Sequence, residues 1–253
     1  MKITRKELLR IGGAALLGGV AGKAAKALGS TVSAQPSAAS GPRWGMVVDI
    51  AACEAQDDCR ECLLACKRAH NVPDLPDPKQ RIDWIDKAPS AAVLPFRAAQ
   101  QGASSADGPS VPVLCNHCAS PPCVQVCPTQ ATFKREDGIV MMDFHRCIGC
   151  RYCMAACPYG ARSFNFIDPR PYVVEDNHAY PTRTAGVVEK CDFCAERLAV
   201  GGTPACVEAC PAKALSFGDL NDEHSTVREL LRARPAVQRR PELGLGPAVF
   251  YVL

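Results

Sequence analysis

The sequence is short of most features that build or announce a conventional enzyme. Aromatic residues fill 6% of its 253 positions, with two tryptophans, while Pro and Gly together number forty. A chain of this length can bury a core, but this composition predicts a loop-rich molecule held by something besides apolar packing. No Gly-x-Gly-x-x-Gly follows a strand, and P-loop, Gly-x-Ser-x-Gly and His-Glu-x-x-His patterns are absent. Nucleotide, flavin and hydrolase chemistry thus lose their usual carriers. Cys-x-x-Cys-His is missing too, which argues against covalent c-type haem. Charge of one sign is also lacking. Six of the 29 Lys/Arg fall in the first 34 residues with a single acid, leaving 23 basic and 25 acidic residues beyond them, unlike a nucleic-acid surface.

Cysteine is what the chain has in excess. Its sixteen cysteines form four quartets. Cys147, Cys150, Cys153 and Cys157, followed by Pro158, read C-x2-C-x2-C-x3-C-P, the bacterial ferredoxin run. In that run three thiolates converge on one [4Fe–4S] cube from a short loop of small residues such as Gly149, and the fourth reaches a second cube. Quartets therefore work in exchanging pairs, and four predict four clusters. Cys115, Cys118, Cys123 and Cys127 precede Pro128; Cys191, Cys194, Cys206 and Cys210 precede Pro211. Cys53, Cys59, Cys62 and Cys66 have a longer first gap and Lys67 in place of the proline, so for these alone a disulfide or zinc knuckle stays open.

The segments around the quartets repeat. Cys157-Pro158-x-x-Ala161-x-x-Phe164 matches Cys210-Pro211-x-x-Ala214-x-x-Phe217, and Cys127-Pro128-x-x-Ala131-x-Phe133 brings its Phe one residue sooner. Gly45 to Asp49 and Gly138 to Asp143 form similar strands leading into a quartet. Each unit reads as strand, cluster loop, short helical turn and strand. The expected fold class is α+β and loop-rich, tandem nested two-cluster ferredoxin-like units with short antiparallel strands and short helices. Arg81 to Ile85 is a further expected strand, Gln100 to Ser110 a surface loop, Asp192 to Leu198 a helical turn and Val227 to Arg232 a short helix. Ala248 to Leu253 reads as a closing strand or a docking tail.

Residues 1–34 resemble an export signal. Lys2, Arg5, Lys6 and Arg10 precede the apolar stretch Ile11 to Val20, and Val32-Ser33-Ala34 offers a small-x-small cleavage site. Lys23 and Lys26 interrupt the apolar stretch well short of the ~20 residues of a membrane span. Thr4 to Arg10 resembles the twin-arginine (Tat) motif with Lys6 replacing the second arginine, and that route suits a cluster protein assembled in a reducing compartment before export. Residues 35–43 form a tether.

His117 and His145 lie within or beside quartets and read as hydrogen-bonding neighbours. Arg146, Arg151, Lys134, Arg135 and Lys190 lie close to cysteines, as solvated charges or as cations that favour a reduced cluster. Met141, Met142 and Phe144 suit a core; Trp44 and Trp84 could cover a cluster or a subunit contact.

With these quartets in this order, the chain resembles the four-cluster iron–sulfur subunits of the dimethyl sulfoxide and polysulfide reductase families. Cys115-Asn116-His117-Cys118, the run from Pro128 to Pro158 and Gly186 to Cys191 resemble more closely the DsrO-type periplasmic subunits of DsrMKJOP complexes. The resemblance implies cross-ligation: Cys53, Cys59, Cys62 and Cys210 on one cube; Cys115, Cys118, Cys123 and Cys157 on a second; Cys147, Cys150, Cys153 and Cys127 on a third; Cys191, Cys194, Cys206 and Cys66 on a fourth. An inner unit, 111–185, would then be nested in an outer one, 44–110 with 186–226, and 227–253 would be a C-terminal tail. It further implies an electron-transfer subunit without substrate turnover, in a complex of dissimilatory sulfur metabolism. Its partners would be an NrfD-like quinone-interacting membrane subunit (DsrP-like) and a multihaem cytochrome c subunit (DsrJ-like), with periplasmic attachment to the membrane through them. A molybdopterin oxidoreductase of the polysulfide or dimethyl sulfoxide reductase type is the alternative assembly, and a disulfide-bonded or zinc-bound structural protein the remote one.

Overall fold

The computed structural model describes residues 41–56, 58–94 and 109–253. The signal segment and residues 35–40 of the tether lie outside the described residues. In chain order, β1 (Trp44–Asp49) leads into α1 (Ile50–Glu54) and α2 (Glu61–His70); β2 (Ile85–Pro89) and α3 (Ser90–Val93) precede β3 (Ser110–Leu114). Then come α4 (Pro122–Gln125), β4 (Thr132–Lys134), β5 (Val140–Met142), α5 (Tyr152–Ala156), β6 (Ser163–Phe164) and β7 (Val188–Glu189). The chain closes with α6 (Ala195–Ala199), α7 (Ala205–Glu208), β8 (Leu215–Asp219), α8 (Thr226–Ala233), β9 (Ala236–Val237) and β10 (Val249–Val252). The mixture of short helices and small sheets is α+β.

Strand pairing follows the repeat. The strand leaving each quartet pairs antiparallel with the strand entering the next: β2 with β3, β4 with β5, β6 with β7. The last closes on the first, with β8 antiparallel to β1 from Trp44 opposite Asp219 to Val48 opposite Leu215. Two of these four pairs, β2–β3 and β6–β7, join segments that the nested reading assigns to different units.

The sheet around β1 is the largest, in the order β8-β1-β10-β9. Gly45, Met46, Val47 and Val48 are all buried, as expected of a β-branched central strand covered on both faces. The expectation of antiparallel strands fails at one place: β10 runs parallel to β1, Met46 opposite Val249. A parallel neighbour needs a long crossover, and nearly the whole chain supplies it. Ala248 to Leu253 is thus built into the sheet. Helix α8 seals one face through Val227, which packs with Val47 and Val252, and the Ser225 hydroxyl caps it by accepting the Arg228 N–H.

The strand expected at Arg81 to Ile85 begins only at Ile85. Arg81 instead pairs with Asp83 and Asp86, and the Asp83 N–H donates to Ser163 Oγ, so the earlier residues serve side-chain contacts. Most of the loop expected over Gln100 to Ser110 falls in 95–108, outside the described residues; Ser110 itself is in β3, opposite Pro89. The main core includes Cys53, Cys62, Cys66, Cys115, Cys191 and Cys206 among its apolar members, so the thiols are part of the interior. Among the described residues no helix is long and apolar enough to cross a membrane.

Candidate metal centres

All four quartets share one backbone device. The residue just before the second cysteine has a left-handed conformation in each: Asp58 (φ 50°), His117 (φ 41°), Gly149 (φ 70°) and Phe193 (φ 58°). Such a residue turns the loop back on itself at a conformational cost for any side chain, and its recurrence at three non-glycine positions marks a required turn. It also carries the first quartet, whose lengthened gap still ends in the same turn. Only Gly149 is forced by space, since a Cβ there would lie 2.6 Å from the Gly186 carbonyl. The cysteine-proline ends repeat as well: Gln130, Gly160 and Lys213 are left-handed, and each N–H returns to the carbonyl of Cys127, Cys157 or Cys210.

All sixteen cysteines are free thiols. Cys53, Cys59, Cys62 and Cys210 line one cavity with Gln56, Lys87, Pro112 and Leu215. Burial pushes the Cys62 thiol up to about 12, with Lys87 drawing it back. Cys66, Cys191, Cys194 and Cys206 are all buried, and burial raises each; the next influence on Cys66 is from the other three thiols. Cys62 and Cys66 are one turn apart on α2, which puts them on one helix face. In a third group burial pushes Cys118 up to about 12, and Cys115, Cys123 and Cys157 add to the effect.

The last group is less closed. Burial raises Cys153, whose thiol neighbours are Cys123 and Cys147. Cys127 is half-buried; burial would raise it, but hydrogen bonds from Thr132 and Thr129 prevail and lower it. Cys150 is exposed. No contact among the described residues joins Cys127 or Cys150 to Cys147 and Cys153; that grouping is what the resemblance implies.

These groups fit [4Fe–4S] clusters by their donors. Soft thiolates are the ligands iron–sulfur cubes require, and backbone N–H groups aimed at sulfur are the usual accompaniment. Phe193 donates to Cys191 Sγ at 3.4 Å, Ala205 to Cys194 Sγ at 3.4 Å, Thr132 to Cys127 Sγ at 3.4 Å and Ala214 to Cys210 Sγ at 3.3 Å. Burial disfavours a lone thiolate, so thiolates converging at these places need a positive partner such as iron.

The flanking residues divide sharply. His145 is on the surface beside Asp143, which also meets Arg146; Arg135 pairs with Asp137 at 2.8 Å and Lys134 donates to the Ala119 carbonyl. Arg151 lies over the Phe164 and Phe166 rings. Lys190 is 1% exposed and donates to the Val140 and Cys191 carbonyls. His117, also buried, accepts the Val140 N–H through Nδ1, stacks on Phe193 at 3.7 Å and finds no partner for Nε2 among the described residues. Trp84 stacks on His70, whose Nδ1 is 3.8 Å from Cys66 Sγ, so this tryptophan covers the buried quartet; Trp44 stacks on Phe217. Met142 packs beside Cys123 and Cys153, Met141 and Phe144 against the main core.

Two features carry no mark in the sequence motifs. Arg183 and Glu189, both wholly buried, pair at 2.7 Å; Glu189 also accepts from Trp84 Nε1 and Asn165 Nδ2, while Arg183 donates to the His70 and Asn71 carbonyls. This network ties the end of α2 to β7 and to Trp84 and Asn165, the residues beside β2 and β6. Arg162 is buried against Cys123 and Cys153. A hint for it lay in the repeat: the residue after the shared alanine is Thr132, Arg162 or Leu215, one charge among inward positions.

Comparison with known proteins agrees with this chemistry. A family model described as a 4Fe-4S dicluster domain matches residues 107–220. The chain is 40% identical to Hdr-like menaquinol oxidoreductase iron-sulfur subunit 1 of Archaeoglobus fulgidus, over 98% of this chain and 97% of that protein. It is 38% identical to a putative dimethyl sulfoxide reductase iron-sulfur protein of Halobacterium salinarum, over 83% of this chain and 78% of the relative. It is 36% identical to the iron-sulfur cluster-binding subunit of a menaquinone reductase of Nitratidesulfovibrio vulgaris, over 83% and 88%.

Proposed function

We propose a function from the family to which this chain belongs, the [4Fe–4S] iron–sulfur electron-transfer subunits of oxidoreductase complexes: it relays single electrons between a quinone-linked, NrfD-like membrane subunit and a second redox subunit. Four clusters are held in tandem ferredoxin-like units, by Cys53, Cys59, Cys62 and Cys210; Cys115, Cys118, Cys123 and Cys157; Cys147, Cys150, Cys153 and Cys127; and Cys191, Cys194, Cys206 and Cys66. The cavity lined by the first set and the mutual influence within the second and fourth support this grouping. When bound, the clusters supply one-electron carriers. The protein's own part is to fix their thiolates with the left-handed turns, to aim N–H donors at sulfur and to exclude water from the buried set.

The assembly we favour is a sulfur-metabolism complex of the DsrMKJOP type, exported by the Tat route, with DsrP-like and DsrJ-like neighbours in the periplasm. The observation that carries it is the match to a menaquinol oxidoreductase subunit along 98% of this chain. The molybdopterin reading draws on the dimethyl sulfoxide reductase relative, whose match stops at 83%. Purifying the complex anaerobically from its host separates them. A menaquinol analogue that reduces the iron–sulfur signals, with multihaem cytochrome present and molybdopterin absent, supports the first reading; a stoichiometric molybdopterin subunit overturns it.

A further inference from the structure

Among the described residues Arg162 is a buried cation without an acid. It is 6% exposed; Nη1 donates to Thr132 Oγ1 at 3.1 Å and lies 3.9 Å from Met142 Sδ, and Nη2 has no hydrogen-bond partner among the described residues. No carboxylate pairs with it there, whereas buried Arg183 has Glu189 at 2.7 Å. What it faces is sulfur. Met142, which it touches, packs with Cys123, Cys147 and Cys153, and Thr132, to which it donates, gives its own N–H to Cys127 Sγ.

The repeat shows that the position is inward by construction. Thr132, Arg162 and Leu215 occupy the same place after the shared alanine and are 1%, 6% and 4% exposed. A leucine satisfies the fold there, so an arginine with an unused donor needs an anion to justify its desolvation. A cube held by four thiolates is an anion, and it gains another negative charge on reduction.

We propose that Arg162 is the shared counter-charge of the two inner clusters, lying between the set that contains Cys123 and the set that contains Cys153 and raising both reduction potentials together. This rests on the ligand sets proposed above. Net charge and hydrogen bonds to sulfur are the levers by which a protein sets such potentials, and a guanidinium supplies both at every physiological pH. Arg135 and Arg146 cannot do the same, because each is screened by water and tied to its own aspartate.

The test is a redox titration of the anaerobically purified complex, read by electron paramagnetic resonance, for wild type, Arg162→Gln and Arg162→Lys, with iron counted in each. In Arg162→Gln, iron stays at the wild-type level and two midpoint potentials fall, each by at least tenfold in the reduction constant, or 59 mV for one electron. The other two stay in place, and Arg162→Lys recovers at least half of the fall. Four unmoved potentials, one moved alone, or all four moved alike would overturn the proposal. Should Arg162→Gln lose iron, Arg162→Lys decides: wild-type iron with near-wild-type potentials supports the charge, and loss there too assigns a steric role and overturns it. Wild-type protein without iron would instead sink the ligand sets themselves.

Discussion

Of the ligand sets proposed above, the buried one, Cys66, Cys191, Cys194 and Cys206, and the more open one, Cys127, Cys147, Cys150 and Cys153, are built with the same turns but lie in opposite surroundings. The first has α2 packed on α7 above it, with His70 stacked between Trp84 and the edge of Tyr180. The second is rimmed by Ile148 and Tyr152, 66% and 63% exposed. Loop geometry therefore decides where thiolates converge, and the covering decides how the site behaves. Water stabilises the extra charge of a reduced cluster and admits oxidants; burial removes both.

The largest test of that contrast is removal of one ligand on each side. Cys206→Ser takes a member out of the main core, so the chain should lose most of its iron and its cooperative melting transition. Cys150→Ser should lose at most about four irons, one cube's worth, and still melt cooperatively. Equal losses in iron analysis and anaerobic calorimetry would erase the distinction.

Next in size is the network that holds the buried side shut. Glu189→Gln leaves Arg183 charged, buried and uncompensated, which should cost about 3–5 kcal/mol in anaerobic denaturant unfolding. A cost below about 1 kcal/mol would mean that the pair does not hold the covering in place. Trp84→Phe keeps an aromatic ring beside His70 but removes the donor to Glu189 along with part of a buried ring, so at least about 1.5–3 kcal/mol should go. The same measurement should find its ligands still bound.

The smallest effect belongs to a pair outside both groups. The Arg234 guanidinium hydrogen-bonds Asp49 and holds its carboxyl below the usual range. A folded-state pKa below the unfolded value means stability that is present above about pH 4 and is lost as the pH falls through the folded value. Asp49→Asn should keep the cap of α1 and flatten that acid limb by less than about 1 kcal/mol. An acid limb equal to wild type's would refute the role of the pair.

Much of this was legible in the sequence because iron–sulfur ligation is local. Spacing gave the quartets, and the cysteine-proline turns, β1 and α8 follow from short-range patterns, whereas Ala248 to Leu253 read equally as a closing strand or a docking tail. Relations between distant segments were not legible. Nothing in Ala248 to Leu253 says that it lies parallel to β1, and the cyclic pairing of consecutive quartets needs partners dozens of residues apart. Charges were hardest. Arg146, Arg135 and Arg162 all lie near cysteines in the chain, yet the first two are solvated beside their own aspartates and the third is buried. Glu189 and Arg183 likewise look like ordinary surface residues until β6 and β7 pair around them.

The most direct measurement is iron and acid-labile sulfide per chain on anaerobically purified protein, together with the paramagnetic spectrum after dithionite. About sixteen of each, with interacting [4Fe–4S] signals, is the predicted result. Zinc in their place, or oxidised thiols with no paramagnetic signal, would contradict the account.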